Sequence, residues 1–137
     1  MISLNLTEKA YIAGIVDGEG TVTLARKHKN ETPSPMVSIA NCNLDLLLWV
    51  RKKTNCGTMH TRPANKKHRA AYELRIRSDK ALNFLKEIKN LLRIKKPHAE
   101  LLLKSYKSVT VRNGRYNAAQ LEEKMKLVKA IRRLNRR

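Results

Sequence analysis

Acidic residues, aromatic residues and cysteines are all scarce in this sequence of 137 residues, and it has no long apolar run. Only 11 acidic residues oppose 30 lysines and arginines, aromatic residues make up 4% of the chain, and there are two cysteines. The longest uncharged apolar runs, such as residues 10–16, are far too short to cross a bilayer. The first residues also lack the pattern of a secretory signal. We therefore expect no membrane partner.

The two cysteines, Cys42 and Cys56, form no paired motif, and the four histidines are not spaced with them as zinc ligands are. Free thiols are typical of proteins in reducing compartments. We therefore predict an intracellular, reducing location, either an organelle or an archaeal or bacterial cytoplasm. We also predict that the chain has no metal site of the His/Cys type.

A net charge of +19 is confined to one domain's length of chain. Hydrophobic residues make up 42% of the sequence, which is enough for one core and argues against disorder. Such a charge favours a polyanionic partner. A polybasic membrane binder would concentrate its charge on an amphipathic helix or beside a lipid anchor, and here the charge is dispersed. A ribosomal or packaging protein would explain the charge but needs no acidic cluster.

Hydrophobic periodicity predicts a single α+β domain over residues 1–137, with a core at about 7–108 and a C-terminal helical extension at about 109–137. Helices are indicated by their apolar spacing and by capping residues such as Thr7 and Asn43. Strands are indicated by the alternation of apolar and polar residues between turn residues. The predicted order is αββαββα followed by two further helices: helix 7–19, strands 21–27 and 36–41, helix 44–54, strands 58–63 and 70–78, and helices 78–93, 97–108 and 117–134.

Each predicted strand has one apolar face and one polar, mostly basic face. In the first strand, for example, Val22 and Leu24 alternate with Thr21 and Thr23. An antiparallel sheet can leave one face uncovered, and a β-ribbon fits the major groove of DNA. A solvated face would explain one such strand, but four strands that agree favour a nucleic-acid groove. The residues that we expect to contact DNA are Thr23, Lys27, Lys29, Ser38, His60, Arg62, Lys66, Lys67, Arg69, Glu73, Arg75 and Arg77.

The stretch YIAGIVDGEGTVTL, residues 11–24, places glycines and carboxylates where an apolar helix meets a strand. Gly14 and Gly18 lie on one face of the helix, and together with Ala13 they allow a second backbone to approach closely. Asp17 and Glu19 lie at the negative end of the helix dipole, where each is disfavoured by about 0.3–1 kcal/mol. A bound cation reverses that sign, and Mg²⁺ prefers carboxylate and carbonyl oxygens. The alternative is a glycine-capped helix with two surface acids.

Residues 12–20, IAGIVDGEG, resemble the LAGLIDADG signature of the homing endonucleases, and a strand follows as that family requires. The predicted αββαββα order resembles the family's core. The segment LRIKKPHAELLLK, residues 92–104, is similar to the family segment that carries a catalytic-site lysine. The resemblance implies an α+β fold with an antiparallel DNA-binding sheet shaped as a saddle. It also implies a site-specific, intron-encoded double-strand DNA endonuclease or, alternatively, a catalytically weak relative that acts as an RNA maturase or a DNA-binding regulator.

The same resemblance implies roles for individual residues. Glu19 takes the place of the metal-binding acid, and Gly20 would offer its carbonyl oxygen to the same metal. Lys95 matches the lysine near the scissile phosphate, with Lys96 as the alternative if the alignment shifts by one residue. Asn41 matches a polar residue that positions water. The residues expected between the two motif helices of a dimer are Ala13, Gly14, Asp17 and Gly18.

Asp45 stands where some family members have an arginine in a basic pocket, and we expect Arg75 or Arg77, on the DNA face, to supply that charge instead. Asp17 lies about 200° around the helix from Glu19, so we expect it to have a structural role.

The sequence holds one copy of the motif, so one chain supplies one Glu19, and cutting both DNA strands requires two chains. A twofold dimer would bring the Gly14 and Gly18 faces together. We therefore expect a homodimer that acts on a long, roughly palindromic DNA duplex, while RNA binding by the helix faces stays open. The expected cofactor is Mg²⁺; Mn²⁺ should substitute for it, and Ca²⁺ should support binding without turnover.

Overall fold

The structure, a computed structural model, describes residues 4–136. It consists of a four-stranded antiparallel sheet with helices on one of its faces. The α+β class and the predicted element order are confirmed. Short 3-10 turns follow the third and fourth helices. The elements are α1 (Leu6–Glu19), β1 (Gly20–Ala25), β2 (Ser34–Asn41), α2 (Leu44–Thr54), β3 (Thr58–Arg62), β4 (Ala71–Arg77), α3 (Ser78–Ile88), α4 (Lys96–Ser105) and α5 (Ala118–Leu134).

Helix α1 begins earlier than predicted, because its N-cap is Asn5 and not Thr7. The Asn5 side chain accepts a hydrogen bond from the Glu8 backbone N–H at 2.8 Å, and the Glu8 carboxylate accepts one from the Asn5 N–H at 3.1 Å. This reciprocal pair is a capping box, which satisfies two donors at once and so outcompetes a single threonine cap. The helix ends at Gly20, where a Cβ would lie 2.7 Å from the Val16 carbonyl oxygen. Only glycine therefore lets α1 pass directly into β1.

The strands lie in the order β1-β2-β4-β3, with every neighbouring pair antiparallel. Their register lines up one buried row, in which Val22, Val37 and Ile76 face the helices. The side chains of the alternate residues point to the other face, which no helix of residues 4–136 covers. The predicted alternation is therefore confirmed, and the uncovered face is the surface available to a partner.

Helices α1, α2 and α3 pack on the covered face of the sheet. Ile12 and Val16 of α1 and Phe84 and Leu85 of α3 are fully buried there. Helix α5 packs on α4 and on the edge strand β1. At its C-terminal end, the Asn135 side chain donates a hydrogen bond to the Val22 carbonyl oxygen at 3.1 Å. The C-terminal extension is thus fixed to the same core.

The prediction that α3 runs to residue 93 is wrong for its last residues. The α-helix ends at Ile88, and a 3-10 turn, Lys89–Leu91, follows it. The Leu92 side chain is buried, and the next three backbone N–H groups donate to Asp17 of α1 instead of continuing the helix. Helix α4 then begins at Lys96.

Lys124 of α5 is fully buried and is held by hydroxyl groups and aromatic rings. Its ammonium group donates to the Thr110 hydroxyl at 2.7 Å and to the Tyr116 hydroxyl at 3.2 Å. It also lies 4.3 Å from the centroid of the Tyr106 ring, within range of a cation–π interaction. Burial raises the pKa of Tyr106, which stays neutral. The cluster joins α5 to the chain segment that follows α4.

We expect Lys124→Ala to lower the free energy of unfolding by about 2–5 kcal/mol, because it leaves a cavity and removes the donor of two buried hydrogen bonds. Lys129→Ala, at an exposed position on the same helix, should change that free energy by less than about 0.5 kcal/mol. Urea denaturation followed by circular dichroism measures both. Equal stability of the two variants would contradict the packing described for Lys124.

No helix within residues 4–136 is long and apolar enough to cross a membrane. Both cysteines are free thiols, Cys42 exposed and Cys56 buried.

Candidate active site and nucleic-acid interface

Glu19 lies at the C-terminal end of α1, with its side chain exposed beside the start of the sheet. The Asn41 side-chain amide, at the end of β2, donates a hydrogen bond to the Glu19 carboxylate. The carbonyl oxygen of the same amide accepts a hydrogen bond from the Asn43 N–H at 2.7 Å, which turns the NH₂ group towards Glu19. The structure thus brings together two of the predicted site residues.

The oxygen atoms at this position suit a hard divalent cation. Glu19 forms no ion pair with a lysine or arginine among the residues that the structure describes. Residues 4–136 contain no group of three or more His, Cys, Asp and Glu side chains that could hold a metal alone. One chain therefore offers one carboxylate and the neighbouring Gly20 carbonyl. This set fits Mg²⁺, which keeps several waters and commonly takes phosphate oxygens as its other ligands.

The Asp17 carboxylate is bonded within its own chain. One oxygen accepts the Arg93 N–H at 2.8 Å, and the other accepts the Ile94 N–H at 3.0 Å and the Lys95 N–H at 2.9 Å. Both oxygens are thus engaged by backbone that is remote in sequence. The expectation that Asp17 is structural agrees with this geometry, and its assignment to the interface between motif helices stays a prediction.

Lys95 immediately precedes α4 and is half-buried, and Lys96 is the first residue of that helix. The hydrogen bonds from its segment to Asp17 bring Lys95 to the turn of α1 that ends at Glu19. His98 is buried one turn further on, and neither of its ring nitrogens has a hydrogen-bond partner among residues 4–136. Burial, together with the charge of Lys95, lowers the pKa of His98, so that this imidazole is neutral at pH 7.

Gly14 and Gly18 lie on the solvent side of α1, while Ala13 does not. A Cβ added at either glycine would meet no atom of residues 4–136 within 4 Å. Ala13 is fully buried in the chain's own core, because it lies about 100° around the helix from Gly14. The prediction that Ala13 contacts a partner helix is therefore wrong.

The uncovered face of the sheet carries the residues predicted to contact DNA within strands. Register places them in rows across the sheet, so that Ser38 stands beside Arg75, Thr23 pairs with Met36, and Glu73 pairs with His60. Ser38 is largely covered by its neighbours, with 7% of its surface exposed. The residues on this face are Thr23, Ser38, His60, Arg62, Glu73, Arg75 and Arg77.

Glu73 and Arg75 form an ion pair on this face. The Arg75 guanidinium donates to one Glu73 oxygen from Nε at 2.7 Å and from Nη2 at 2.6 Å. The two side chains thus form one unit on the face that is predicted to contact DNA. Arg77 is not paired in this way: its buried Nη1 has no hydrogen-bond partner among the described residues.

The remaining predicted DNA contacts lie in two loops at opposite ends of the sheet. Lys27 and Lys29 belong to the β1–β2 loop, because β1 ends at Ala25 and not at residue 27 as predicted. Lys66, Lys67 and Arg69 belong to the β3–β4 loop. There the Asn65 side chain accepts the backbone N–H groups of residues 67 and 68, each at 2.8 Å. These lysines are exposed.

Arg69 is the arginine that the structure brings near Asn41. It lines an open depression together with Asn41, Asn43 and Asp45. Arg77 pairs with Met36, at the far end of β2 from Asn41, and Arg75 is held by Glu73. Our expectation that Arg75 or Arg77 replaces the missing pocket arginine is therefore not supported. The pairing of β2 with β4 explains why Arg69 lies near Asn41. Asn41 pairs with Tyr72, and Arg69 lies three residues before Tyr72, in the β3–β4 loop.

Comparison with protein families identifies the family of the chain. A family profile described as a LAGLIDADG-like domain matches residues 7–89, which is more than half of the chain. The chain belongs to the LAGLIDADG-like family. No curated protein sequence matches it significantly.

Solved LAGLIDADG homing endonucleases share the fold. The homing endonuclease I-CvuI, in complex with its target in the presence of Ca²⁺, has a TM-score of 0.70 at 18% identity over 93% of this chain and 82% of that one. The archaeal intron-encoded I-Vdi141I, complexed with DNA, has a TM-score of 0.71 at 15% identity over 96% and 86%. I-TnaI has a TM-score of 0.58 at 19% identity over 98% and 97%. The predicted resemblance is thus confirmed for family and fold, and the roles of single residues stay predictions.

Proposed function

We propose that this LAGLIDADG protein is a site-specific double-strand DNA endonuclease of the homing type, which acts as a homodimer with Mg²⁺. The observation that carries the proposal is the position of Glu19. Its carboxylate is exposed where the motif helix meets the uncovered, basic face of the sheet, and it is bonded to Asn41 and to no cation of the described chain. A carboxylate that forms no ion pair, on the surface proposed to face DNA, can bind a divalent metal ion.

Glu19 and the Gly20 carbonyl would hold the metal, which supplies an activated water and relieves negative charge on the leaving oxygen. Asn41 holds the Glu19 carboxylate in one orientation through its amide. Lys95 would place its ammonium near the scissile phosphate and stabilise the charge that develops there. Arg69, beside Asn41, is placed to supply the positive charge that Asp45 cannot.

The homodimer is supported by an unused surface on α1. Thr7, Tyr11, Gly14 and Gly18 form a solvent-exposed stripe along one side of the helix. The chain's own packing does not require glycine at either position, because a Cβ at Gly14 or Gly18 meets nothing. Large apolar side chains are also exposed here: Tyr11, within the stripe, by 56%, and Ile94, whose N–H is bonded to Asp17 of the same helix, by 63%. A second copy packed by twofold symmetry would cover them and bring two Glu19 side chains together.

The DNA site would be long and roughly palindromic, because two sheets related by a twofold axis would present their basic faces to one duplex. I-CvuI and I-Vdi141I were both determined in complex with DNA, which supports duplex DNA as the partner of this fold. Phosphate contacts position a protein on the duplex, and base contacts specify the sequence. The loop lysines have the reach for phosphates, and the strand arginines have the reach for base edges.

Arg75→Ala and Lys66→Ala should separate these two kinds of contact. Arg75 lies within β4 on the uncovered face, and its loss should relax preference at one symmetric pair of base positions, by roughly 1–3 kcal/mol against the wrong base. Lys66 lies in the β3–β4 loop, and its loss should weaken binding to all sequences alike and lower the salt slope by about one unit. Selection of binding sites from random duplexes, with affinities measured over a series of salt concentrations, distinguishes the two patterns.

The matched control for this pair is Lys86→Ala, an exposed lysine of α3 on the opposite side of the sheet, which should leave base preferences unchanged. If Arg75→Ala lowers affinity uniformly and alters no base preference, the uncovered face does not read bases through this strand.

Cleavage of a random-sequence duplex library tests the function itself. With Mg²⁺ we expect cut ends that share one long, roughly palindromic sequence, and with EDTA we expect none. Mn²⁺ should restore cutting, and Ca²⁺ should give binding without cutting. Specific binding to one duplex with no cutting in Mg²⁺ or Mn²⁺ would instead indicate a DNA-binding regulator, and selective binding to folded RNA would indicate a maturase.

A further inference from the structure

Asp17 joins two segments that are far apart in the sequence. Three consecutive backbone N–H groups, those of Arg93, Ile94 and Lys95, converge on its carboxylate at 2.8, 3.0 and 2.9 Å. Successive N–H groups that point at one anion form a nest, and hydrogen bonds to an ionised acceptor are stronger than neutral ones. The carboxylate thus holds the whole short segment between the buried Leu92 and the start of α4.

Within the described chain, no other hydrogen bond holds this segment's backbone N–H groups. The Leu92 N–H donates to the carbonyls of Ile88 and Lys89, which ends the preceding turn. The Arg93 and Ile94 side chains are exposed, so packing constrains them little. Lys95 itself forms no ion pair among residues 4–136. The Lys95 carbonyl oxygen accepts the Ala99 N–H at 3.0 Å, which joins Lys95 to α4. Asp17 therefore ties Lys95 and the start of α4 to α1.

Asp17 is also two residues before Glu19, in the last turn of the same helix. Glu19 is held from the other side by Asn41 of β2. A single carboxylate therefore fixes the Lys95 backbone to the rigid element that carries Glu19. Three backbone hydrogen bonds engage both Asp17 oxygens, whereas Glu19 accepts from the Asn41 amide, so the two acids of the motif have different partners.

We propose that Asp17 is a positioning residue, which sets the Lys95 ammonium group relative to the Glu19 carboxylate through three backbone hydrogen bonds. The proposal rests on the proposed nuclease function and names a residue on which its geometry depends. Asp17 touches neither DNA nor metal in this role, and it acts only through Lys95.

Asp17→Asn tests the proposal, because it keeps the shape of the side chain and replaces one acceptor oxygen by a donor that faces an N–H group. At saturating protein we expect cleavage of the selected site to be about 10- to 100-fold slower, since a displacement of about 1 Å at a catalytic group has effects of that size. The dissociation constant for DNA in Ca²⁺ should change by less than about threefold, because no DNA contact is removed.

A double-mutant cycle separates positioning from general structural damage. In a Lys95→Ala background the further change Asp17→Asn should have little effect on the cleavage rate, because the group that it positions is absent. In the control background Lys104→Ala, at an exposed position of α4, it should retain its full effect. If Asp17→Asn slows cleavage equally in the wild-type and Lys95→Ala backgrounds, or does not slow it at all, the proposal is overturned. If the asparagine variant does not fold, Asp17→Glu, which keeps the charge and displaces the segment, takes its place in the cycle with the same expected dependence on Lys95.

Amide hydrogen exchange gives a readout that does not require cleavage. The N–H groups of residues 93–95 should exchange slowly in the wild-type protein and much faster in Asp17→Asn, while the Leu102 N–H in α4 stays protected. Fast exchange of all three groups in the wild-type protein would overturn the proposal even if the protein is a nuclease. Slow exchange in a wild-type protein that cuts no DNA would show instead that the proposed function has failed and that the three hydrogen bonds exist.

Discussion

Glu19→Gln should bind the selected DNA site as tightly as the wild-type protein and should cut it more slowly by about 10³-fold or more. Glutamine preserves the size of the side chain and its contact with Asn41, but it removes the anionic metal ligand. Loss of a metal's stabilisation of the transition state amounts to several kcal/mol, and each 1.4 kcal/mol is about a factor of ten in rate. Single-turnover cleavage in Mg²⁺ and binding in Ca²⁺ measure the two quantities.

The matched control is Glu122→Gln, the same substitution at an exposed position of α5 outside the candidate site. It should leave both cleavage and binding unchanged. Undiminished cleavage by the Glu19 variant would remove Glu19 from the metal site and with it the basis of the proposed mechanism.

Gly14→Leu should produce a folded monomer that no longer makes double-strand breaks. Glycine is less favourable in a helix than alanine by about 0.8–1 kcal/mol, leucine ranks close to alanine, and a Cβ at this position meets no atom of the described residues. The single chain should therefore be at least as stable as before. A leucine side chain would nevertheless hold two motif helices apart, because close approach of their backbones requires small residues at the contact.

Light scattering gives the molar mass, urea denaturation gives the stability, and a supercoiled plasmid that carries the site reports nicks and double-strand breaks separately. Gly18→Leu should behave in the same way, whereas Lys129→Leu, an exposed position on α5, should stay dimeric and active. A Gly14→Leu protein that remains a fully active dimer would show that the twofold axis lies elsewhere.

Local patterns predicted the elements of this fold well, because their signals lie within a few residues of each other. Helix α2 begins after the Asn43 cap and ends before Gly57, within the predicted range 44–54. The alternation of Val22 and Leu24 with threonines gave the two faces of β1. The errors concern two helix ends. Helix α1 is capped by the Asn5 capping box and not by Thr7. Helix α3 ends before residue 93, and the backbone N–H of Arg93 donates to Asp17.

The site was less predictable, because its contacts join distant parts of the chain. The motif indicated Glu19, but the contact between Asp17 and Lys95 spans 78 residues and depends on how α1 packs beside the turn before α4. The approach of Arg69 to Asn41 depends on the register of β2 and β4. Ala13 was placed on the wrong side of α1 because the small-residue pattern alone does not say which face is buried.

Mixed dimers of wild-type and Glu19→Gln chains test whether two copies of the chain each supply one Glu19 to a single double-strand cut. The two proteins are unfolded and refolded together over a range of proportions at constant total concentration, so that their chains pair at random. Each mixture is then assayed on the selected site in Mg²⁺. We predict that the rate of double-strand breakage falls with the square of the fraction of wild-type chains. A rate that falls in simple proportion to that fraction would show that one chain cuts both strands alone, and it would contradict the proposed homodimer.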